Sequence, residues 1–159
     1  MTEISTTKEI KFNLLKRTQK RIGKYGAFEV TFSSRYLEHD KGSKKDRCDY
    51  VEWDGLNFTC FKIKSTKDDF LSNAHLSLFG QRNYIVAPVE LAQWIKKEGF
   101  KYRNRNISSF GILAYKNQSF KLIKKCSVQA VSIGDASLIL EGFAKAASRD
   151  MMKNIDKSK

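Results

Sequence analysis

Residues 49–64 read Asp-Tyr-Val-Glu-Trp-Asp-Gly-Leu-Asn-Phe-Thr-Cys-Phe-Lys-Ile-Lys. Asp54-Gly55 between two apolar-rich runs is a hairpin signal, because the turn needs positive φ and glycine adopts it without a steric penalty. The stretch therefore predicts two antiparallel strands. The first opens at Asp49. The second, 58–64, alternates: Phe61 and Ile63 face one way, Lys62 and Lys64 the other. A carboxylate beside lysines on one face of a hairpin points to a charged site rather than to core.

Upstream, 26–32 reads as a further strand. Simple alternation places Ala27, Glu29 and Thr31 on one face and Phe28, Val30 and Phe32 on the other. Before it, 5–24 reads as a basic amphipathic helix with Ile10, Leu14, Leu15 and Ile22 as a partial apolar stripe. Lys16 and Lys20 lie four apart, as do Arg17 and Arg21, so each pair shares a face. That face is either directed at phosphates or simply solvated. Residues 33–47 form a long polar loop with His39, Asp40, Lys44 and Lys45; loops of this length in compact domains are often functional.

Downstream, Thr66 is a helix N-cap with Asp69 three residues on, a capping-box-like pattern. Asp68 and Asp69 suit the positive end of that helix, predicted to reach about His75. Residues 84–87, Tyr-Ile-Val-Ala, suit a buried strand closed by Pro88, and 89–98 a helix. Arg103 and Arg105 lie in a basic loop with Tyr102. Residues 110–115 and 120–125 form a hairpin around 116–118. Residues 135–154 form a last helix with Leu140, Phe143, Ala147 and Met151 as its packing stripe. The order predicts a single α+β (α/β) domain over 1–159, a mixed sheet flanked by helices, with its core at 26–125.

The chain carries 30 Lys and Arg against 17 Asp and Glu, a net charge of +13. That favours a polyanionic partner, with nucleic acid the default. No apolar run approaches the roughly 20 residues of a membrane span. The N-terminus lacks the apolar region of a signal peptide, which predicts a cytoplasmic protein with no membrane partner. Cys48, Cys60 and Cys126 are odd in number and lack Cys-x-x-Cys spacing, so free thiols are expected.

Four pieces in order, 24–31, 48–51, 61–71 and 82–91, together resemble the PD-(D/E)XK nuclease superfamily, and within it the MmcB-like group of DNA-repair and phage-encoded proteins. The resemblance implies a restriction-endonuclease-like fold and a role in DNA repair, recombination or phage DNA handling. It implies Glu29 as the upstream acid, Asp49 as the motif Asp and Lys64 as the motif Lys, with Glu29 and Asp49 binding Mg²⁺ or Mn²⁺. The metal would activate water and the lysine would stabilise charge on the phosphate. The other acid of the motif falls at position 62, where this chain has Lys62. An ammonium about 4 Å from a divalent ion costs roughly 8 kcal/mol at an effective dielectric near 20. Lys62 could instead fill the metal position and neutralise the two acids, leaving no cofactor. The expected DNA contacts are Lys16, Arg17, Lys20, Arg21, Lys44, Lys45, Arg82, Arg103 and Arg105. The reading favoured by Lys62 is a nuclease-fold protein that binds DNA with impaired or lost cleavage. The alternatives are an active Mg²⁺-dependent endonuclease, in which a homodimer would cut both strands, and a protein-binding regulator.

Overall fold

The computed structural model describes residues 3–32, 46–72, 76–102 and 108–158. His39, Asp40, Lys44, Lys45, His75, Arg103 and Arg105 lie outside them. The elements run α1 (Glu3–Gln19), β1 (Tyr25–Phe32), β2 (Asp46–Trp53), β3 (Phe58–Ile63), α2 (Lys67–Leu71), β4 (Arg82–Pro88), α3 (Val89–Lys97), a 3-10 turn (Gly99–Tyr102), β5 (Gly111–Lys116), β6 (Ser119–Lys124) and α4 (Ile133–Lys157). The strands form one mixed sheet in the order β1-β2-β3-β4-β5-β6. Among the described residues only β3–β4 and β4–β5 are parallel; the other pairs are antiparallel. The expected α+β class holds. Among the described residues no helix is long and apolar enough to cross a membrane.

The hairpin forms as its turn chemistry requires. Gly55 takes φ +91°, and the Asp54 carboxylate accepts from the Leu56 and Asn57 amides at 3.0 and 2.7 Å. Side-chain alternation then sorts the core into layers. On one face Tyr50, Phe61, Ile63, Val86, Leu113 and Tyr115 pack under Ile10 and Leu14 of α1. On the other, Ala27, Val30, Val51 and Cys60 meet Ile139, Phe143 and Ala146 of α4, and Ile85, Ala87 and Ile112 meet Leu91, Ala92 and Ile95 of α3.

Several local expectations shift. Helix α1 stops at Gln19, so Lys20 and Arg21 follow it rather than continue its face, and Ile22 is fully exposed. Strand β2 opens at Asp46, three residues before Asp49, which takes Arg47 out of the expected loop. Helix α4 is rotated from the expected stripe: Ile139, Gly142, Phe143 and Ala146 are buried, while Leu140, Ala147 and Met151 are exposed. The reason is Gly142, which lets the helix backbone approach β1. A Cβ there would lie 2.6 Å from the Thr31 carbonyl oxygen. Gly142→Ala is therefore expected to lower the unfolding free energy by about 1–3 kcal/mol despite alanine's better helix propensity. Urea denaturation checks this, and a gain in stability would mean that the contact yields easily.

Strand β1 departs most from expectation. Ala27, Val30 and Phe32 share the α4 face, and Phe28 lies on the α1 face. Simple alternation cannot put both 27 and 30 on one side. The break falls at Glu29, whose φ is +51°. Its neighbours pair regularly, Phe28 with Tyr50 and Val30 with Cys48, so Glu29 and Asp49 occupy the irregular step between two strands.

Candidate functional site: a fork between two strands

Strands β2 and β3 pair from Trp53–Phe58 to Tyr50–Phe61. Beyond that point β2 stays with β1 as far as Phe32–Asp46. Strand β3 stays with β4 through Ile63–Val86, and the Lys64 amide continues the ladder to the Val86 carbonyl at 2.9 Å. The sheet forks here, and a fork strands backbone groups that must find other partners. Side chains supply them. The Asp49 carboxylate accepts the Ile63 amide at 2.7 Å. The Cys48 thiol donates to the Phe61 carbonyl at 3.5 Å. The Lys62 ammonium donates to the Arg47 carbonyl.

Charged groups crowd the same place. Glu29 pairs through Oε1 with Lys11 of α1. Its Oε2 lies 2.8 Å from Arg47 Nε, an ion pair not aligned as a hydrogen bond. Glu29, Asp49 and Lys62 are thus brought together as the sequence suggested. Lys64 is not part of that contact set: its buried ammonium donates to the Asp69 carbonyl at 2.9 Å and to the Asp69 carboxylate at 3.0 Å. The Asp69 amide in turn donates to Thr66 Oγ1 at 3.1 Å, so the expected cap forms and anchors Lys64 as well.

The expected neutraliser is also partly reassigned. Lys62 acts electrostatically on Asp49, but among the described residues the cations paired with Glu29 are Lys11 and Arg47. Neither was singled out from the sequence. Arg47 lies two residues before Asp49 on one strand, which is a usable signal. Lys11 has only its place beside the buried Ile10, since nothing local aims it at β1.

Burial holds the Asp49 carboxyl above the usual carboxylate range. The Ile63 amide and Lys62 pull it down, Glu29 pushes it up, and Lys11 lowers it again. A folded pKa above the unfolded one means that protonation favours the native state. This contribution is full below the unfolded value, about 4, and is lost as pH rises through the folded value. Asp49→Asn removes the titration and keeps an acceptor for Ile63. Its stability relative to the parent protein is expected to improve as pH climbs from about 4 towards neutrality. Urea unfolding across that window tests it; a constant difference would exclude burial as the leading influence.

The donor set does not suit a hard divalent cation. Such ions want several carboxylate or carbonyl oxygens. Here two carboxylates meet Lys11, Arg47 and Lys62, and one carboxylate oxygen is committed to a backbone amide. Among the described residues no three His, Cys, Asp or Glu side chains come together in a metal-binding group.

Of the expected DNA contacts, Lys16, Lys20 and Arg21 are exposed, and Arg82 is half-buried at the start of β4. Arg17 turns inward, its guanidinium 5.5 Å from the centroid of Phe61 and 5.8 Å from that of Phe120. Cys48, Cys60 and Cys126 are free thiols.

The fold and site define an α+β protein built on a forked mixed sheet, with a charged cluster where the strands part. No family model and no curated protein matches the chain. A solved structure of a protein of unknown function from Silicibacter pomeroyi is similar over 92% of this chain and 90% of that one, with a TM-score of 0.62 and 15% sequence identity. That likeness establishes the fold.

Proposed function

We propose that this chain is a nuclease-fold protein of PD-(D/E)XK type that binds DNA and does not cut it. The observation that carries the reading is the occupation of the acidic fork by the chain's own cations: Lys11 and Arg47 on Glu29, and Lys62 beside Asp49. The resemblance implies a metal held by Glu29, Asp49 and an acid at position 62, and here position 62 on the far side of the fork is a lysine. Here protein ammonium and guanidinium groups balance the acids instead. The net charge of +13 supplies the attraction for a polyanion.

Binding and cleavage are tested together. Fluorescence anisotropy with labelled DNA is expected to show binding at about 50 mM salt that weakens steeply by about 200 mM, as counterion release requires. Incubation with Mg²⁺ or Mn²⁺ is expected to leave the DNA intact. Cleavage that Asp49→Ala abolishes would establish the active-endonuclease reading instead. Absence of binding at low salt would remove DNA as the partner and leave the protein-binding reading.

A further inference from the structure

Helix α1 crosses its face of the sheet diagonally. Around its middle, Asn13 donates to the Tyr115 hydroxyl of β5 at 2.8 Å, and that hydroxyl donates to Glu9 at 2.7 Å. Near its end, Thr18 donates to Glu52 of β2 at 2.8 Å and accepts from the Tyr50 hydroxyl at 2.8 Å. The diagonal leaves two corners. Lys11 looks over the one that holds the fork. Arg17, on the opposite flank, looks over the other.

That second corner is aromatic and basic. Rings run across the sheet in register, Tyr50, Phe61, then Tyr84, with neighbouring centroids 5.9 Å apart. The row ends at Tyr84 because its register partner on β5 is Gly111, over which the tyrosine ring lies: a Cβ on Gly111 would meet Tyr84 Cε1 at 2.3 Å. The Cys126 amide and thiol sit against the Tyr84 hydroxyl. The ring is thus fixed at both ends and remains half-buried. Beyond it on the same face come Phe120, half-buried, and Leu122, which is 47% exposed and pairs with Leu113.

Arg17 lies against Phe61 and Phe120, its Nε buried without a hydrogen-bond partner among the described residues. The carboxylate that attracts it, Glu52, gives its oxygens to Thr18 and Lys24. Among the described residues the guanidinium is not taken up by a bidentate carboxylate. Arg21, just beyond the helix end, and Tyr84 both act on it electrostatically. Arg82 precedes Tyr84 by two residues and so shares its face.

We infer that this corner is a platform for single-stranded nucleic acid, with Arg17, Arg21 and Arg82 on phosphates and Tyr84 and Phe120 under unpaired bases. The inference rests on the DNA-binding reading above and narrows it. A ring in a sheet face stacks only on a base that is free of its partner strand, and base–aromatic stacking with a basic groove is the general solution for single strands. A duplex presents phosphates to the arginines but no base face to the rings. The fork lies on the other side of α1, so the two surfaces can be altered separately.

The experiment is anisotropy with a labelled oligothymidine of about 15 nucleotides and a duplex of the same length. The single strand is expected to bind more tightly. Tyr84→Leu and Leu122→Glu should each weaken it about tenfold; Leu122 is exposed enough that its replacement leaves the core intact. Arg82→Gln should flatten the log–log salt slope by about 0.7. Lys145→Glu, on α4 across the sheet, should stay within about twofold of the parent. Preference for the duplex, or unchanged affinity in both Tyr84→Leu and Leu122→Glu while the parent binds DNA, overturns the platform and leaves the DNA reading standing. Failure of the parent to bind either probe overturns both.

Discussion

Lys62→Glu is expected to give this protein a metal response that the parent lacks. In chelator the variant should unfold more easily by about 3 kcal/mol, because a buried cation–anion arrangement is replaced by like charges and the Arg47 carbonyl loses its donor. Adding Mn²⁺ or Mg²⁺ should recover most of that loss. A ligand at about 100 times its Kd stabilises by about 2.7 kcal/mol. The new carboxylate would stand beside Asp49 and Glu29, supplying the oxygen ligand that the fork lacks. The double variant Lys62→Glu, Asp49→Ala should lose the metal response. Thermal melts with and without metal read all three proteins, and DNA cleavage assays run beside them. If Lys62→Glu shows no metal-dependent stabilisation, the fork is not a disabled metal centre and the nuclease assignment of Glu29 and Asp49 fails. If the parent already responds and Asp49→Ala stops it, the cations do not block the site and the active-enzyme reading returns.

Glu52→Ala is expected to cost about 3–5 kcal/mol, the range for removing one partner of a buried charged pair. Glu52 is 4% exposed and holds the C-terminal half of α1 to β2: Thr18 donates to one oxygen, Lys24 approaches the other at 3.2 Å, and Arg17 lies nearby. Truncation leaves the Thr18 hydroxyl only the Leu14 carbonyl, at 3.1 Å, as acceptor and leaves Lys24 and Arg17 without their carboxylate. Glu52→Gln keeps an acceptor for Thr18 and should lose distinctly less. Urea unfolding gives the magnitudes, and amide exchange locates the effect, with protection lost first in α1. Equal losses for alanine and glutamine would assign the whole effect to charge; a small loss for both would mean that α1 is held by its apolar side chains.

Much of the fold was legible because its cues are local. The order of elements follows from runs of apolar residues, the Asp54-Gly55 turn, the Thr66–Asp69 cap and Pro88. The faces of β3 follow from a period of two: Phe61 and Ile63 are indeed together under α1. The site was half legible. Glu29, Asp49 and Lys62 share one place, as expected, but what each touches was not in the pattern. The cations paired with Glu29 come from α1 and from the β2 residue facing Thr31, both far from it in the chain.

The sequence by itself determined the α+β class, the hairpin at its centre and the basic charge. All of these rest on composition or on neighbours within a few residues. Tertiary structure alone decided the reversal of faces at Glu29, the pairing of Lys64 with Asp69, the rotation of α4 about Gly142 and the turn of Arg17 onto Phe61 and Phe120. Each depends on the register between segments distant in the chain and on the rotation of a helix about its axis, which a few ångströms of packing set and no local pattern encodes.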